Sequence, residues 1–153
     1  MPGTHFTGVH AMSRAVLDRI PDGFQCVVRT AYIELVPEGL VCAVPHSGSW
    51  VDVGTPEAYL QANLAVLDGA VPVPLDPWEY GDRADGVVFV GRGARVEGTV
   101  RHSVVGGGAV IPTDARLSDC VVWDGVEVPA GDFHRCIFYD EGGILRLPET
   151  LPA

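Results

Sequence analysis

The sequence predicts an α/β segment followed by a β-solenoid of short parallel strands. Three observations carry that expectation. A stretch over Asp68–Gly86 places Pro72, Pro74 and Pro77 close together. Alternating prolines hold the backbone extended and remove N–H donors, so they exclude a helix or an inner strand. The chain therefore divides into about 1–68 and about 86–147, joined by a proline-rich linker over 69–85. Upstream, apolar residues recur at helical spacing. Downstream, they recur six residues apart.

In the first part, Ser13 is placed to cap a short helix over Arg14–Ile20, and Pro21-Asp22-Gly23 stops it. Val27, Val28, Ala31, Tyr32, Leu35 and Val36 form one helical face, ended by Pro37 and Gly39. The valine-rich run Leu40–Val44 reads as a strand, and Trp50–Val53 as another strand or strand end. Thr55 caps the next helix, with Pro56 at its first position and Glu57 near the positive end of its dipole. Leu60, Leu64 and Leu67 make its buried stripe, and Gly69 ends it.

The second part is a repeat. Segments 103–111, 120–128 and 136–144 align without gaps, and 88–96 fits more loosely. Their first residues, at 88, 103, 120 and 136, lie 15, 17 and 16 positions apart. Val105, Ile111 and Leu117 are six apart, with Ala109 and Ala115 following the first two by four. Six residues is not a helix period. It suits a three-sided coil with one apolar residue per side pointing inward, and about four coils are expected. Equivalent positions then stack in ladders about 4.8 Å apart. Ser103, Cys120 and Cys136 should lie above one another, as small residues filling a tight corner rather than as a disulfide or metal pair. The Gly106-Gly107-Gly108 run falls in the same repeat, without the strand-to-helix context of a phosphate loop, so it reads as a coil corner.

Composition narrows the function. The 153 residues hold ten basic side chains, all arginine, against 20 acidic ones, for a net charge of −10. Such a chain repels the phosphates of nucleic acid and anionic membranes. The absence of lysine excludes Schiff-base chemistry and any lysine-held phosphate. Cys26, Cys42, Cys120 and Cys136 form no C-x-x-C, and the five histidines complete no zinc spacing. His10 and His46 have no partner at a catalytic spacing and read as structural. No signal peptide or membrane span is evident, which makes the cytoplasm the expected compartment.

Two stretches resemble a known family. Phe6-Thr7-Gly8-Val9-His10-Ala11-Met12-Ser13 is similar to the F-T-G-I-H-x-L-S segment of sugar-1-phosphate nucleotidyltransferases. The run from Trp50 to Asn63 is similar to their W-x-D-V-G-T-P-E-x-Y-L-x-A-N segment, with about ten positions matching in a row. A solenoid after a linker is the layout of the mannose-1-phosphate guanylyltransferase branch. The resemblance spans nearly the whole chain but only the C-terminal half of such an enzyme. It implies the end of a Rossmann-like nucleotidyltransferase domain over 1–68. A left-handed parallel β-helix of hexapeptide repeats over 86–147 and a tail over 148–153 follow.

The family joins a nucleoside triphosphate to a sugar 1-phosphate and releases diphosphate, using magnesium. By resemblance, Asp52 matches the second metal-binding aspartate, and Thr7 and Gly8 match the turn lining the sugar-phosphate pocket. A magnesium ion bridging phosphates needs a hard carboxylate at a strand end, and glycine admits a close approach to the sugar. Asp52 also has a plainer reading, as a carboxylate bonding the Gly54 and Thr55 amides, and Gly8 as a simple turn residue. Trp50 fits core packing better than a sugar platform. The family's glycine-rich loop, its first metal-binding aspartate and its E-K-P lysine have no counterpart here.

Three functions follow. The chain is one part of a nucleotidyltransferase, of GDP-mannose type by resemblance, and inactive alone because positioning and charge neutralisation carry phosphoryl transfer. It is instead a non-catalytic assembly or regulatory module that docks on a complete homologue through its solenoid, as a homo- or hetero-oligomer. A hexapeptide-repeat acyltransferase is the third reading; it needs more coils and a catalytic histidine, for which His102 and His134 flank the repeats. Residues 1–68 should expose apolar surface or fold loosely, because a partial parallel sheet lacks its neighbours.

Overall fold

A computed structural model describes residues 6–73, 76, 79–84 and 88–148. The chain forms two compact units, Met1–Trp50 and Val51–Ala153. Pro74, Pro77, Asp85 and Gly86 of the expected linker lie outside the described residues, as does 149–153 of the expected tail.

In the first unit, α1 spans Arg14–Leu17 and turns continue to Ile20. Ser13 occupies the N-cap position with extended backbone but makes no side-chain cap bond, and the helix is only four residues long. The second expected helix forms as a π-helical stretch, Val28–Tyr32, that runs into α2, Ile33–Leu35. Ala31 and Leu35 are buried there, whereas Val9, Phe24, Ile33, Leu40 and Val44 are exposed.

The strands expected at Leu40–Val44 and Trp50–Val53 do not form. Both runs have the residues of a buried parallel strand. A strand is completed only by a ladder of hydrogen bonds to a neighbouring strand, and neither run joins a sheet among the described residues.

The second unit begins with α3, Pro56–Leu67. Thr55 Oγ1 accepts from the Ala58 amide at 3.2 Å, as expected of a cap. Leu60, Leu64 and Leu67 are buried, but what covers them is the solenoid: they pack with Val121, Ile137 and Leu147.

Among the described residues, the solenoid uses eleven strands. They are β1 Gly81–Ala84, β2 Val88–Gly91, β3 Arg95–Val96, β4 Thr99–Arg101, β5 Ser103–Val105 and β6 Val110–Ile111. Then follow β7 Ala115–Ser118, β8 Val121–Val122, β9 Gly131–His134, β10 Cys136–Tyr139 and β11 Gly143–Arg146. One sheet has the order β1-β2-β5-β8-β10-β11, a second β3-β6, and a third β4-β7-β9. A bridge from Val110 to Glu127 adds the last coil to the second sheet.

The register is the one the repeats predict. Val88 pairs with Ser103, Val104 with Val121, and Val121 with Ile137, all parallel. Val105, Ile111, Leu117, Ala109 and Ala115 all point into the core. The coil count is smaller than expected. Three turns are complete, and the fourth begins with β10 but folds back as β11, antiparallel to it. β1 likewise runs antiparallel to β2, so both ends of the six-stranded sheet are capped. β1 occupies part of the 69–85 stretch, at the sheet edge where a Pro-rich approach is tolerated. Arg146 lies 5.0 Å from the Phe133 ring centroid and covers the end of the third turn.

Two corners recur with left-handed backbone. Gly93, Gly108 and Gly125 stack at one, with φ of 75°, 69° and 70°. His102, Asp119 and Arg135 stack at the other, with φ of 41°, 52° and 51°. Each of the latter precedes a small buried donor. Ser103 Oγ donates to Arg101 O at 2.6 Å, Cys120 Sγ to Ser118 O at 3.1 Å and Cys136 Sγ to His134 O at 3.3 Å. The Ser-Cys-Cys ladder thus gives the carbonyl before each left-handed corner a side-chain donor, beside the Asp119 and Arg135 amides that the Arg101 and Ser118 carbonyls also accept.

Candidate functional site

Thr7 and Gly8 belong to the first unit, and each site residue is described within its own unit. Thr7 is half-buried, and Gly8 is exposed with φ +79°. A side chain would be strained at that φ although no atom lies within 4 Å of where its Cβ would sit. The turn is anchored by its flanks. Phe6 meets the His10 ring edge-on at 5.1 Å, and His10 Nδ1 is hydrogen-bonded to the Tyr32 hydroxyl on the π-helical stretch. His10 is therefore a positioning residue of this motif. Trp50 keeps 40% of its surface exposed, so it is not the core residue expected from sequence.

Asp52 lies in the second unit, ahead of α3, and is exposed. Its Oδ1 accepts from the Gly54 amide at 3.0 Å, which fixes the turn leading to the Thr55 cap. The second carboxylate oxygen is the one left to meet a ligand. As a donor set this is a single hard carboxylate, and magnesium is commonly held by one or two carboxylates together with substrate phosphates and water. Asp52 fits such a shared role and does not make a metal site alone. Among the described residues, no group of three or more His, Cys, Asp or Glu side chains is arranged to hold a metal ion.

Two open grooves lie among the described residues of the second unit. One, of about 400 Å³, runs between α3 and the large sheet past Tyr59, Asn63, Trp123 and Asp124. The other, of about 580 Å³, follows Asp124–Pro129 to Asp140 and Gly142. Neither is lined by Thr7, Gly8 or Asp52.

The structure assembles one polar cluster that no sequence motif announced. His102 Nδ1 is paired with Asp119 Oδ1, and His102 Nε2 lies 3.1 Å from Asp68 Oδ1. His134 Nδ1 lies 3.3 Å from Asp119 Oδ2 and 2.9 Å from Ser118 Oγ. The hydrogen bond to Asp119 raises the His102 pKa above its ordinary value, against the opposing effect of partial burial; both carboxylates add to the rise. The coil spacing of 17 between 102 and 119 was the only sequence signal available. Ser118, His134 and Asp119 do not make a nucleophile relay, because serine and aspartate meet the same ring nitrogen.

Gly106–Gly108 is a coil corner, as expected. Gly107 N donates to Asp124 Oδ1 at 2.6 Å in the next coil, and a Cβ on Gly106 would meet the backbone of Trp123 and Asp124. All four cysteines are free; Cys120 and Cys136 are buried, and Cys26 and Cys42 exposed. Burial pushes the Cys120 pKa up to about 12 and raises that of Cys136. Hydrogen bonding to the Arg29 backbone lowers that of Cys26. No helix among the described residues is long and apolar enough to cross a membrane.

No family model matches the chain. Over 129 residues, 81% of this chain, the sequence is 32% identical to the "Mannose-1-phosphate guanylyltransferase" of Mycobacterium tuberculosis, of which the match covers 35%. The chain thus spans about a third of the length of that relative. Over most of its own length, the chain is thus similar to part of a mannose-1-phosphate guanylyltransferase, as the sequence resemblance led us to expect.

Proposed function

We propose that this chain supplies the C-terminal part of a sugar-1-phosphate nucleotidyltransferase and is inactive without the rest. The reaction is NTP plus sugar 1-phosphate giving NDP-sugar and diphosphate, with GTP and mannose 1-phosphate as the first substrates to test and the cytoplasm as the place. The observation that carries this reading is the unbroken Trp50–Asn63 match, within which Asp52 bonds the Gly54 amide ahead of the Thr55-capped helix. A magnesium ion, when bound, would neutralise phosphate charge, and Asp52 would lend it one carboxylate oxygen. Thr7 and Gly8 would border the sugar phosphate, where the bare glycine backbone allows close approach. The glycine-rich loop and the lysines of the family come from elsewhere.

The test is diphosphate release from GTP and mannose 1-phosphate with magnesium, by the purified chain alone and after co-expression with the N-terminal two-thirds of the relative. The expected result is no release alone and release from the pair, lost again in Asp52→Asn. Release by the chain alone overturns the claim of inactivity. A pair that assembles without activity overturns the catalytic reading.

The second reading is a non-catalytic assembly module that docks on a complete homologue. Its support is that, among the described residues, the two smaller sheets end in strands without antiparallel caps, while the large sheet is capped at both ends. Co-purification with a full-length homologue, without any gain in diphosphate release, favours this reading. Monomeric elution with no such binding counts against it.

A further inference from the structure

Helix α3 ends in a charge problem. Asp68 is its C-cap, at the negative end of the helix dipole, and the last turn carries no basic residue. The carboxylate is answered from the solenoid, by His102 at a left-handed corner. The other nitrogen of that same ring faces Asp119, one coil further on. A neutral imidazole has one N–H and can donate to only one carboxylate, leaving a lone pair against the other. Only the imidazolium donates to both.

We infer that His102 is a pH-dependent clamp: its imidazolium fastens the C-terminal end of α3 to the solenoid corner, and its deprotonation releases that end.

The surroundings support a two-sided clamp. On α3 the ionisable group facing the ring is Asp68. At the corner it is Asp119, and beyond Asp119 stand Ser118 at the end of β7 and His134 at the end of β9. The cation stacked below Asp119, Arg135, is engaged elsewhere. Its Nε donates to Pro148 O at 2.8 Å, and its terminal nitrogens reach the Gln61 amide oxygen at 2.9 and 3.3 Å when that amide is turned to accept. Arg101 precedes His102 and is exposed at the end of β4. His102 is thus the one group hydrogen-bonded to both Asp68 and Asp119 among the described residues.

The sign follows from the raised pKa. A folded pKa above the unfolded value of about 6.5 means that the contribution is fully present below that value. It is lost as pH rises through the folded-state pKa. The hydrogen bond to Asp119 acts on the ring more strongly than that to Asp68, so the remaining N–H stays on Nδ1 toward Asp119 and the Asp68 contact is the one released.

Hydrogen-exchange protection factors across pH 5.5–9 on the full chain test this, with intrinsic exchange rates removed. In the wild type, amides of Asp68, Gly69 and Ala70 should lose about two- to fivefold protection with rising pH, the scale of one partly exposed ion pair. Amides of β5, β8 and β10 should not change. The loss should follow the His102 imidazole titration read by NMR. His102→Gln and Asp68→Asn should each flatten it, and Asp68→Asn leaves the corner untouched should the histidine variant fold poorly. His134→Gln should retain it. The clamp is overturned by a flat wild-type profile, by an equal change across the solenoid amides, or by a profile unchanged in Asp68→Asn.

Discussion

Each coil of the solenoid turns its last corner with a non-glycine residue in left-handed backbone, and the next side chain donates back across that corner. The donors are Ser103, Cys120 and Cys136, all fully buried, and each reaches the carbonyl two residues back. Ser103 Oγ also accepts from the Cys120 amide at 2.9 Å, so the ladder is bonded between coils. Burial holds these thiols protonated, while Cys26 is exposed and more acidic than usual. In iodoacetamide labelling at neutral pH, Cys26 should react in the native protein, whereas Cys120 and Cys136 should react only after unfolding. Native labelling of Cys120, followed by peptide mass spectrometry, would contradict the register. The other corner separates two kinds of glycine. At Gly108, φ is +69° and a Cβ would sit 4.0 Å from Gly125 Cα, so Gly108→Ala should cost about 1–2 kcal/mol of backbone strain alone. Gly106→Ala would drive its Cβ to 2.6 Å from backbone atoms of Trp123 and Asp124 and should cost more. Denaturant midpoints of the two variants rank them directly.

Helix α3 is the element whose sequence is easiest to read and whose packing is hardest. Thr55, Pro56 and the leucine stripe fix its start and its buried face locally. Thr55→Ala should lose about 1 kcal/mol in denaturant unfolding, with Thr55→Ser close to wild type. Leu64→Ala should cost about 2–5 kcal/mol, since the side chain is 96% covered by its neighbours at 4% exposure. What covers the stripe was not legible, because a buried face specifies apolarity and not a partner. Val121, Ile137 and Leu147 lie outward on coils 54 or more residues away, where a reader of the repeats sees only alternation. The clustered polar side chains were hidden for the same reason: Asp68, His102, Asp119 and His134 come from a helix end and three coils.

At the scale of the molecule, the two units differ in what encloses them. The first buries Ala31 and Leu35 and leaves Phe24, Val9, Val44 and Leu40 in solvent, as anticipated for 1–68, whereas the α3 leucines of that stretch are covered by the solenoid. Hydrogen exchange should therefore find the amides of Val41–Val44 far less protected than those of Val104–Val122; equal protection would mean that the run is paired. The sequence alone determined the coil register, the inward residues and the cap and stripe of α3. Each is set by spacing within 17 residues or fewer, and a one-residue slip would turn apolar side chains outward. The family resemblance was carried in the same way, by contiguous residues around Asp52. Tertiary structure decided the rest: that β10 turns back after three coils, that α3 lies on the solenoid, that His102 stands between two carboxylates, and that the runs at 40–44 and 50–53 do not become strands. A strand, a docked helix and an ion pair each need a second partner in space, and partners distant in sequence leave no local pattern to read.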